Sequence, residues 1–323
     1  MHKTNKILEE AKTTLLIEAK SIENLIDQLD EGFTDVVQLI HQSRGRLIIT
    51  GIGKSAVIAM KIAATMNSTG TPSIFMHAAD AIHGDLGIIL ENDVVLCLSK
   101  SGTSPEIKAL IPHIKHRGNK LIAITGNETG ALAKASDYVL MTRIEKEACP
   151  NNLAPTSSTT AQLAMGDALA VCLLKLKDFG AMDFAKHHPG GALGKQLFLT
   201  AKEVSIENEL PKVKSHTPVA DVIDEITTKR LGTTAVIDDD QIVGIITDGD
   251  IRRMLKTKNS IGSLVAKDIM GTNPTTISER TLASKALGLM KEKSINHLIL
   301  VNEQGNYSGM LHILDLIREG ISE

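Results

Sequence analysis

Residues 93–106, DVVLCLSKSGTSPE, carry five apolar side chains in their first six positions and then break into Ser, Gly and Thr before Pro105. The apolar run predicts a strand buried on both faces, and Pro105 predicts the first turn of a helix. A strand that feeds a hydroxyl-rich turn and a helix N-terminus suits an anion. The first N–H groups of a helix lack intrahelical partners, the dipole there favours negative charge, and Ser99, Ser101, Thr103 and Ser104 each carry a hydroxyl donor. A phosphate fits that description. So does a capped helix after a polar loop, because Ser and Thr are ordinary N-caps.

The same grammar recurs on either side. RLIIT (46–50) predicts a buried strand, and GIGKSAVIAMKIAATM after it predicts a Gly-rich turn entering a helix. Gly51 and Gly53 lack the third glycine of GxGxxG, since position 56 is Ala, and GxxxxGK[ST] lacks its first glycine. Lys54 stands at the helix start, where its charge opposes the dipole, which points to a purpose outside the helix, the alternative being a solvated lysine. PSIFM (72–76) predicts another strand, followed by HAADAIHGDLGII (77–89), where His77 and His83 accompany Asp80 and Asp85 without a spacing that specifies a metal site. KLIAIT (120–125) and DYVLMT (137–142) complete the series. Strands alternating with helices predict a doubly wound α/β domain with a parallel sheet of about five strands. Ligands of such sheets sit at the carboxyl ends of the strands, where GIGKS, HAAD, SKSGTS and TGNE fall.

Apolar residues at helical spacing over 7–29 predict a long amphipathic helix that either its own domain or a second copy must cover, and 34–42 predicts a second helix. RIEKEACPNNLAP (143–155) is a polar loop with Glu145 and Glu147, and TSSTTAQLAMGDALAVCLLK (156–175) predicts a helix with several N-cap hydroxyls. His187 and His188 precede Pro189, Gly190 and Gly191. Charged and imidazole groups in such loops are poorly explained by packing, although Glu147 or His188 alone could equally be structural.

Beyond about residue 202, the stretches 218–255 and 281–320 share one pattern: amphipathic helix, strand, acidic or Asn/Gly turn, a second strand opening at Gly244 or Gly309, and a final helix. Ala220 aligns with Ala283 and Val236 with Ile299, and Gly244 meets Gly309 after a two-residue insertion. Two half-buried units of this size hide their apolar faces against each other as one α+β module. The expected domains are therefore 1–202 and 203–323, the latter split at about 203–262 and 268–323.

Composition bounds the partners. The chain of 323 residues is 42% hydrophobic and 23% charged with a formal charge of −3, and it has no long basic run, which argues against nucleic acid or an anionic membrane. Cys97, Cys149 and Cys172 show no CxxC or zinc spacing and read as buried reduced thiols. The N-terminus has no uninterrupted apolar h-region, and no window approaches the roughly 18 apolar residues of a membrane span. A cytoplasmic location is expected.

Taken in order, GIGKS, STGTPS, HGDLG, SGTSPEI, KEACP, LAPTSSTT, MGDALA and HHPGGALG resemble the D-arabinose 5-phosphate isomerases. That resemblance implies a sugar isomerase (SIS) domain of flavodoxin-like fold and a tandem pair of cystathionine-β-synthase (CBS) motifs. It implies interconversion of D-ribulose 5-phosphate and D-arabinose 5-phosphate for Kdo synthesis, without a required cofactor, by a homo-oligomer, namely a tetramer. Carried over by position, the catalytic residues are Lys54, Glu106, Glu147 and His188. Sugar-phosphate contacts fall on Gly70, Thr71, His77, His83, Arg143, Ile144 and Glu145, and on Ala109 and His113 of the helix following SGTSPE. Ser55, Ser101, Thr103 and Ser104 would hold the phosphate. A divalent ion such as zinc at His77 would inhibit. SKSGTS stands where SNSGES is frequent, and HAADAIHGDLG replaces a loop with proline and glutamate. In the first repeat GIITDGDIRR matches the CBS ligand signature with Thr247, Asp250 and Arg252, implying a nucleotide-type ligand, whereas the second repeat has His312 at the Thr position.

Moving a carbonyl between C1 and C2 demands a base near pKa 6 to 7 and a cation or donor aimed at the enediolate oxygen. Glu106, Glu147 and His188 are the candidates for proton transfer and Lys54 for the cation. Two other readings compete: a different phosphosugar isomerase on the same scaffold, and a non-catalytic sugar-phosphate-binding regulator. The latter lacks any visible helix-turn-helix or basic segment.

Overall fold

Five short apolar runs form the centre of the first unit: β1 (Leu47–Gly51), β2 (Ser73–His77), β3 (Val94–Leu98), β4 (Lys120–Thr125) and β5 (Tyr138–Met141). In the computed structural model, which describes residues 2–257 and 262–321, they pair in the order β2-β1-β3-β4-β5, every pair parallel. The expected five-stranded doubly wound sheet is thus present, and its direction of winding reverses between β1 and β3. The chain divides into two units, Met1–His187 and His188–Glu323.

Helices cover both faces because alternate strand residues point to opposite sides. The helices are α1 (His2–Glu23), α2 (Glu31–Gln42), α3 (Lys54–Ser68), α4 (Ala78–Ala81), α5 (Pro105–Arg117), α6 (Ala131–Ala135), α7 (Ser157–Leu176) and α8 (Ala181–His187). Leu47, Ile49, Leu96, Leu98, Ile122 and Ile124 pack on α2, α3 and α7. Ile48, Val95, Cys97, Leu121 and Ala123 pack on α4, α5 and α6. The leading helix ends at Glu23 rather than running to 29, because Leu25 turns into the core at 6% exposure and a 3-10 turn follows at Ile26–Gln28.

Two further expectations are corrected. α7 is long and apolar enough, at a mean hydropathy of 1.2, to cross a membrane by length and composition alone. Its apolar residues instead find protein: Ala161, Met165, Leu169, Ala170 and Leu173 are buried where α7 meets α1, α2 and α3. Of the three cysteines only Cys97 is buried, and burial pushes its thiol up to about 12, whereas Cys149 and Cys172 are partly exposed.

Close approach of α3 and α7 depends on Gly166, where an added Cβ would lie 2.4 Å from Cδ1 of Ile62, a fully buried residue. Ile62 is β-branched and cannot swing aside freely. Gly166→Ala is expected to lower stability by about 1–3 kcal/mol; an unchanged urea midpoint would show that Ile62 yields without strain.

The second unit contains α9 (Ala192–Phe198), α10 (Ala201–Val204), β6 (Lys212–Val213), α11 (Val219–Lys229), β7 (Thr233–Asp238), β8 (Gln241–Thr247), α12 (Asp248–Thr257), β9 (Thr276–Ser278), α13 (Ala283–Glu292), β10 (His297–Val301), β11 (Tyr307–His312) and α14 (Ile313–Arg318). Two three-stranded sheets, β6-β7-β8 and β11-β10-β9, repeat one plan. Each repeat borrows a segment lying before the other. Ala201 donates to the carbonyl of Thr281, and Ile245 and Gly271 exchange backbone bonds. Ala235, Ile299 and Met310 form the apolar seam between the sheets. The unit starts at His188, and Leu199, Ala201 and Val204 belong to the core of the second repeat.

The repeat alignment shifts by one. Val236 faces Gly244 and Leu300 faces Gly309, so Val236 corresponds to Leu300 and the hairpins differ by one residue. A bulge in each hairpin hides the offset from sequence. Gly244 and Gly309 lie inside β8 and β11 rather than opening them. At Gly244 a Cβ would meet Met270 Sδ at 2.6 Å, so the borrowed segment requires glycine there.

Candidate active site

The strand register brings five loops side by side at the carboxyl edge. Gly51 pairs with both His77 and Leu98, Leu98 pairs with Ile124, and Thr125 pairs with Met141. Parallel sheets place a ligand crevice where the winding reverses, here between β1 and β3. Lys54 opens α3 from the β1 side. Gly53 before it has φ 58°, and Lys54 is exposed with no ion pair among the described residues. From the β3 side, α5 starts at Pro105 with Ser104 as N-cap, and Ser104 makes no side-chain cap bond. The capped-helix alternative therefore does not account for that hydroxyl, and the first-turn N–H groups of Glu106 and Ile107 lie beyond the helix's own bonding pattern.

The four hydroxyls of the turn are not equivalent. Ser99 is buried, and its Oγ accepts from the Gly102 amide at 3.1 Å, so it shapes the turn; Ser101 Oγ accepts from Thr103 N at 3.3 Å. Ser101 and Thr103 remain exposed. Glu106 is half-buried, and its carboxylate has no hydrogen-bond or ion-pair partner among the described residues. Ala109 and His113 follow it at i+3 and i+7 and are exposed, so the three share one face of α5.

Glu147 is different. Its side chain is fully buried at the N-terminus of α7. Oε1 accepts from Lys100 Nζ and Ser158 Oγ, both at 2.6 Å, and Oε2 accepts from Thr156 N at 2.8 Å, Ser158 N at 3.1 Å and Thr156 Oγ1 at 3.2 Å. Burial alone would raise its pKa, but Lys100, the Ser158 hydroxyl and the Thr156 and Ser158 amides outweigh that and hold it at about 2. A carboxylate so placed is held as a fixed negative charge rather than as a base working near 6 to 7. Lys100, which the sequence did not mark as a site residue, is half-exposed and pairs with it.

The remaining residues divide by position. Ser55 Oγ donates to Gln162 Oε1 at 3.1 Å, linking the starts of α3 and α7. His77 at the end of β2 lies 3.6 Å from Asp80, and His83 is exposed in the following loop. Among the described residues no group of three or more His, Cys, Asp or Glu side chains could hold a metal ion. Arg143 meets Glu128 at 3.2 Å and exchanges backbone bonds with the Gln28 amide; Ile144 packs on the core and Glu145 is exposed. Gly70 and Thr71 are not with these loops. They precede β2, at the amino edge of the sheet, and Lys177 Nζ donates at 2.8 Å to Gly70 O and to Thr71 Oγ1. The expected sugar-phosphate contact is therefore not met within one chain, where the strand length separates the two edges. His188 is the first residue of the second unit.

In that unit, a cavity of about 1260 Å³ lies between the repeats, lined by Thr247, Asp248, Arg252, His297, His312 and Arg318 among others. Asp250 does not line it. Its carboxylate accepts from Thr247 N at 2.8 Å and Thr247 Oγ1 at 2.6 Å and pairs with Arg253, closing the first turn of α12. His312 caps α14 through Nδ1, and burial lowers its pKa and that of His297, whose ring centroid is 4.6 Å away.

Comparisons with known proteins agree with this division. The SIS domain family model matches residues 39–172, and the CBS domain model matches 201–257 and 266–322. The chain is 42% identical over 316 residues to the arabinose 5-phosphate isomerase KdsD of Pseudomonas aeruginosa, covering 97% of each. It is 42% identical over 312 residues to KdsD of Escherichia coli K12, covering 96% of this chain and 95% of the relative. A solved structure of an E. coli CFT073 protein in complex with arabinose 5-phosphate is 38% identical, covers 57% of this chain and 98% of its own, and superposes with a TM-score of 0.56.

Proposed function

The chain belongs to the arabinose 5-phosphate isomerase family, a SIS domain followed by two CBS domains, and from that membership we propose how its own residues perform the isomerisation. It is an aldose-ketose isomerase that interconverts D-ribulose 5-phosphate and D-arabinose 5-phosphate. The single observation that carries the assignment is likeness across 97% of both chains with the domains in the same order.

The phosphate sits at the N-terminus of α5, where Ser101, Thr103 and Ser104 supply hydroxyls and the helix supplies its first N–H groups. Its binding orients the pentose for reaction. Glu106, unpartnered among the described residues, moves the proton between C1 and C2, and Lys54 faces the oxygen that gains charge in the enediolate. His188 assists proton transfer or ring opening. Glu147 acts as a fixed negative charge. No cofactor is needed for this chemistry, and a divalent ion bound at His77 would inhibit.

The product feeds Kdo and lipopolysaccharide synthesis in the cytoplasm, consistent with three unpaired cysteines. Assembly as a tetramer would cover Ile7, Leu8, Leu15 and Leu16 of α1, which are 55–70% exposed in one chain. The CBS cavity takes a nucleotide-type ligand. Incubation with D-ribulose 5-phosphate and, separately, hexose phosphates tests the substrate: arabinose 5-phosphate should form from the pentose. Turnover of hexose phosphates alone would overturn the assignment.

A further inference from the structure

Both oxygens of Glu147 are taken: five donors reach them at 2.6–3.2 Å and the side chain has no exposed surface. A carboxylate has about four lone-pair sites, so a substrate finds nothing on Glu147 to touch. Only one of its partners reaches solvent to a large extent: Lys100, whose side chain is 46% exposed. The most exposed group through which Glu147 can reach a bound substrate is that ammonium.

Lys100 is well placed to carry it. It lies two residues past the end of β3, in the turn that leads to Glu106, across the winding reversal from Lys54, which lies three residues past the end of β1. Its backbone is fixed, since its carbonyl accepts from Gly126 N at 3.1 Å and Thr125 Oγ1 at 3.3 Å. Its ammonium has three donors, and Glu147 is its one recorded partner among the described residues. A lysine head on a flexible four-carbon stem is normally diffuse; a buried carboxylate held by four other donors localises it.

We propose that Lys100 is a second cation of the active site, held in place by Glu147, and that its remaining N–H donors bind an oxyanion of the substrate. Glu147 is then a positioning residue that acts through Lys100. This rests on the isomerase assignment above. The oxyanion is either a phosphate oxygen or the oxygen that becomes charged in the enediolate, and kinetics separate the two.

The test compares Lys100→Met, Lys100→Arg, Glu147→Gln and the Lys100→Met/Glu147→Gln double variant with the parent on D-ribulose 5-phosphate. It also measures inorganic phosphate binding and urea unfolding of each. Lys100→Met should lower kcat/KM at least ~30-fold, and Lys100→Arg should return to within ~5-fold of the parent. The double variant should fall no more than ~3-fold below the worse single variant, because both remove one unit. A loss in kcat assigns the enediolate oxygen; a rise in KM with weaker phosphate binding assigns the phosphate. If Lys100→Met stays within ~2-fold of the parent, or if the two single effects multiply in the double variant, the proposal is overturned. A lowered unfolding midpoint with unchanged kcat and KM would equally overturn it, by showing that Lys100 only stabilises the fold. An inactive parent would instead remove the isomerase assignment. Lys100→Met leaves the buried Glu147 carboxylate without its cation; Lys100→Arg keeps the pair and the double variant removes both charges, so these two carry the kinetic comparison if Lys100→Met does not fold.

Discussion

Glu106→Gln is expected to lower kcat for the pentose phosphate interconversion by ~10³-fold while KM stays within a few-fold and the unfolding free energy moves by no more than about 1 kcal/mol. Glu106 sits at the second position of α5, half-buried and without a protein partner among the described residues. Glutamine keeps its shape and its place in the first helical turn but cannot accept a proton. No hydrogen bond or ion pair among the described residues is lost, so stability should move by no more than the roughly 0.3–1 kcal/mol that a negative charge in a first helical turn contributes. Steady-state kinetics and a urea curve on the same preparation check both halves. Retention of more than a tenth of the parent's kcat would show that another group carries the proton.

Acid should unfold the first unit through Glu147. Its pKa falls from the usual 4.5 to about 2 in the fold. A carboxyl depressed in the native state adds stability that is complete above the unfolded value and is lost as pH drops through the folded one. At 1.36 kcal/mol per pH unit of displacement, about 3 kcal/mol should disappear between roughly pH 5 and pH 2. In Glu147→Gln that part of the pH dependence should vanish, so the variant should be about 3 kcal/mol less stable than the parent above pH 5 and approach it as pH falls towards 2. Urea unfolding of both proteins across that range measures it. Equal slopes in the two proteins would show that Glu147 is not held as described.

The strands were legible because each is an apolar run bounded by Gly, Ser or Pro, and the loops at their carboxyl ends followed from the βα alternation alone. Long-range pairing was not legible. Lys100 and Glu147 are 47 residues apart, and no periodicity announces that one will neutralise the other. Glu147 therefore read as a proton carrier, although five donors make it a fixed charge. Gly70 and Thr71 were grouped with the pocket on a motif, but strand polarity puts them at the opposite edge of the sheet. The repeats were found by pattern and misaligned by one residue, because a bulge changes pairing without changing hydropathy. Asp250 matched a ligand signature, yet a carboxylate three residues after Thr247 closes a capping turn, and the helix takes it first.

The isomerisation proposed for the carboxyl edge of the first sheet is a proton transfer between C1 and C2 of a pentose phosphate. Its most direct test is NMR of the protein turning over D-ribulose 5-phosphate in D2O. D-arabinose 5-phosphate carrying deuterium at C2 is the expected product. Product that still carries only hydrogen at C2 after many turnovers to equilibrium, or no product while the protein remains folded, would contradict it.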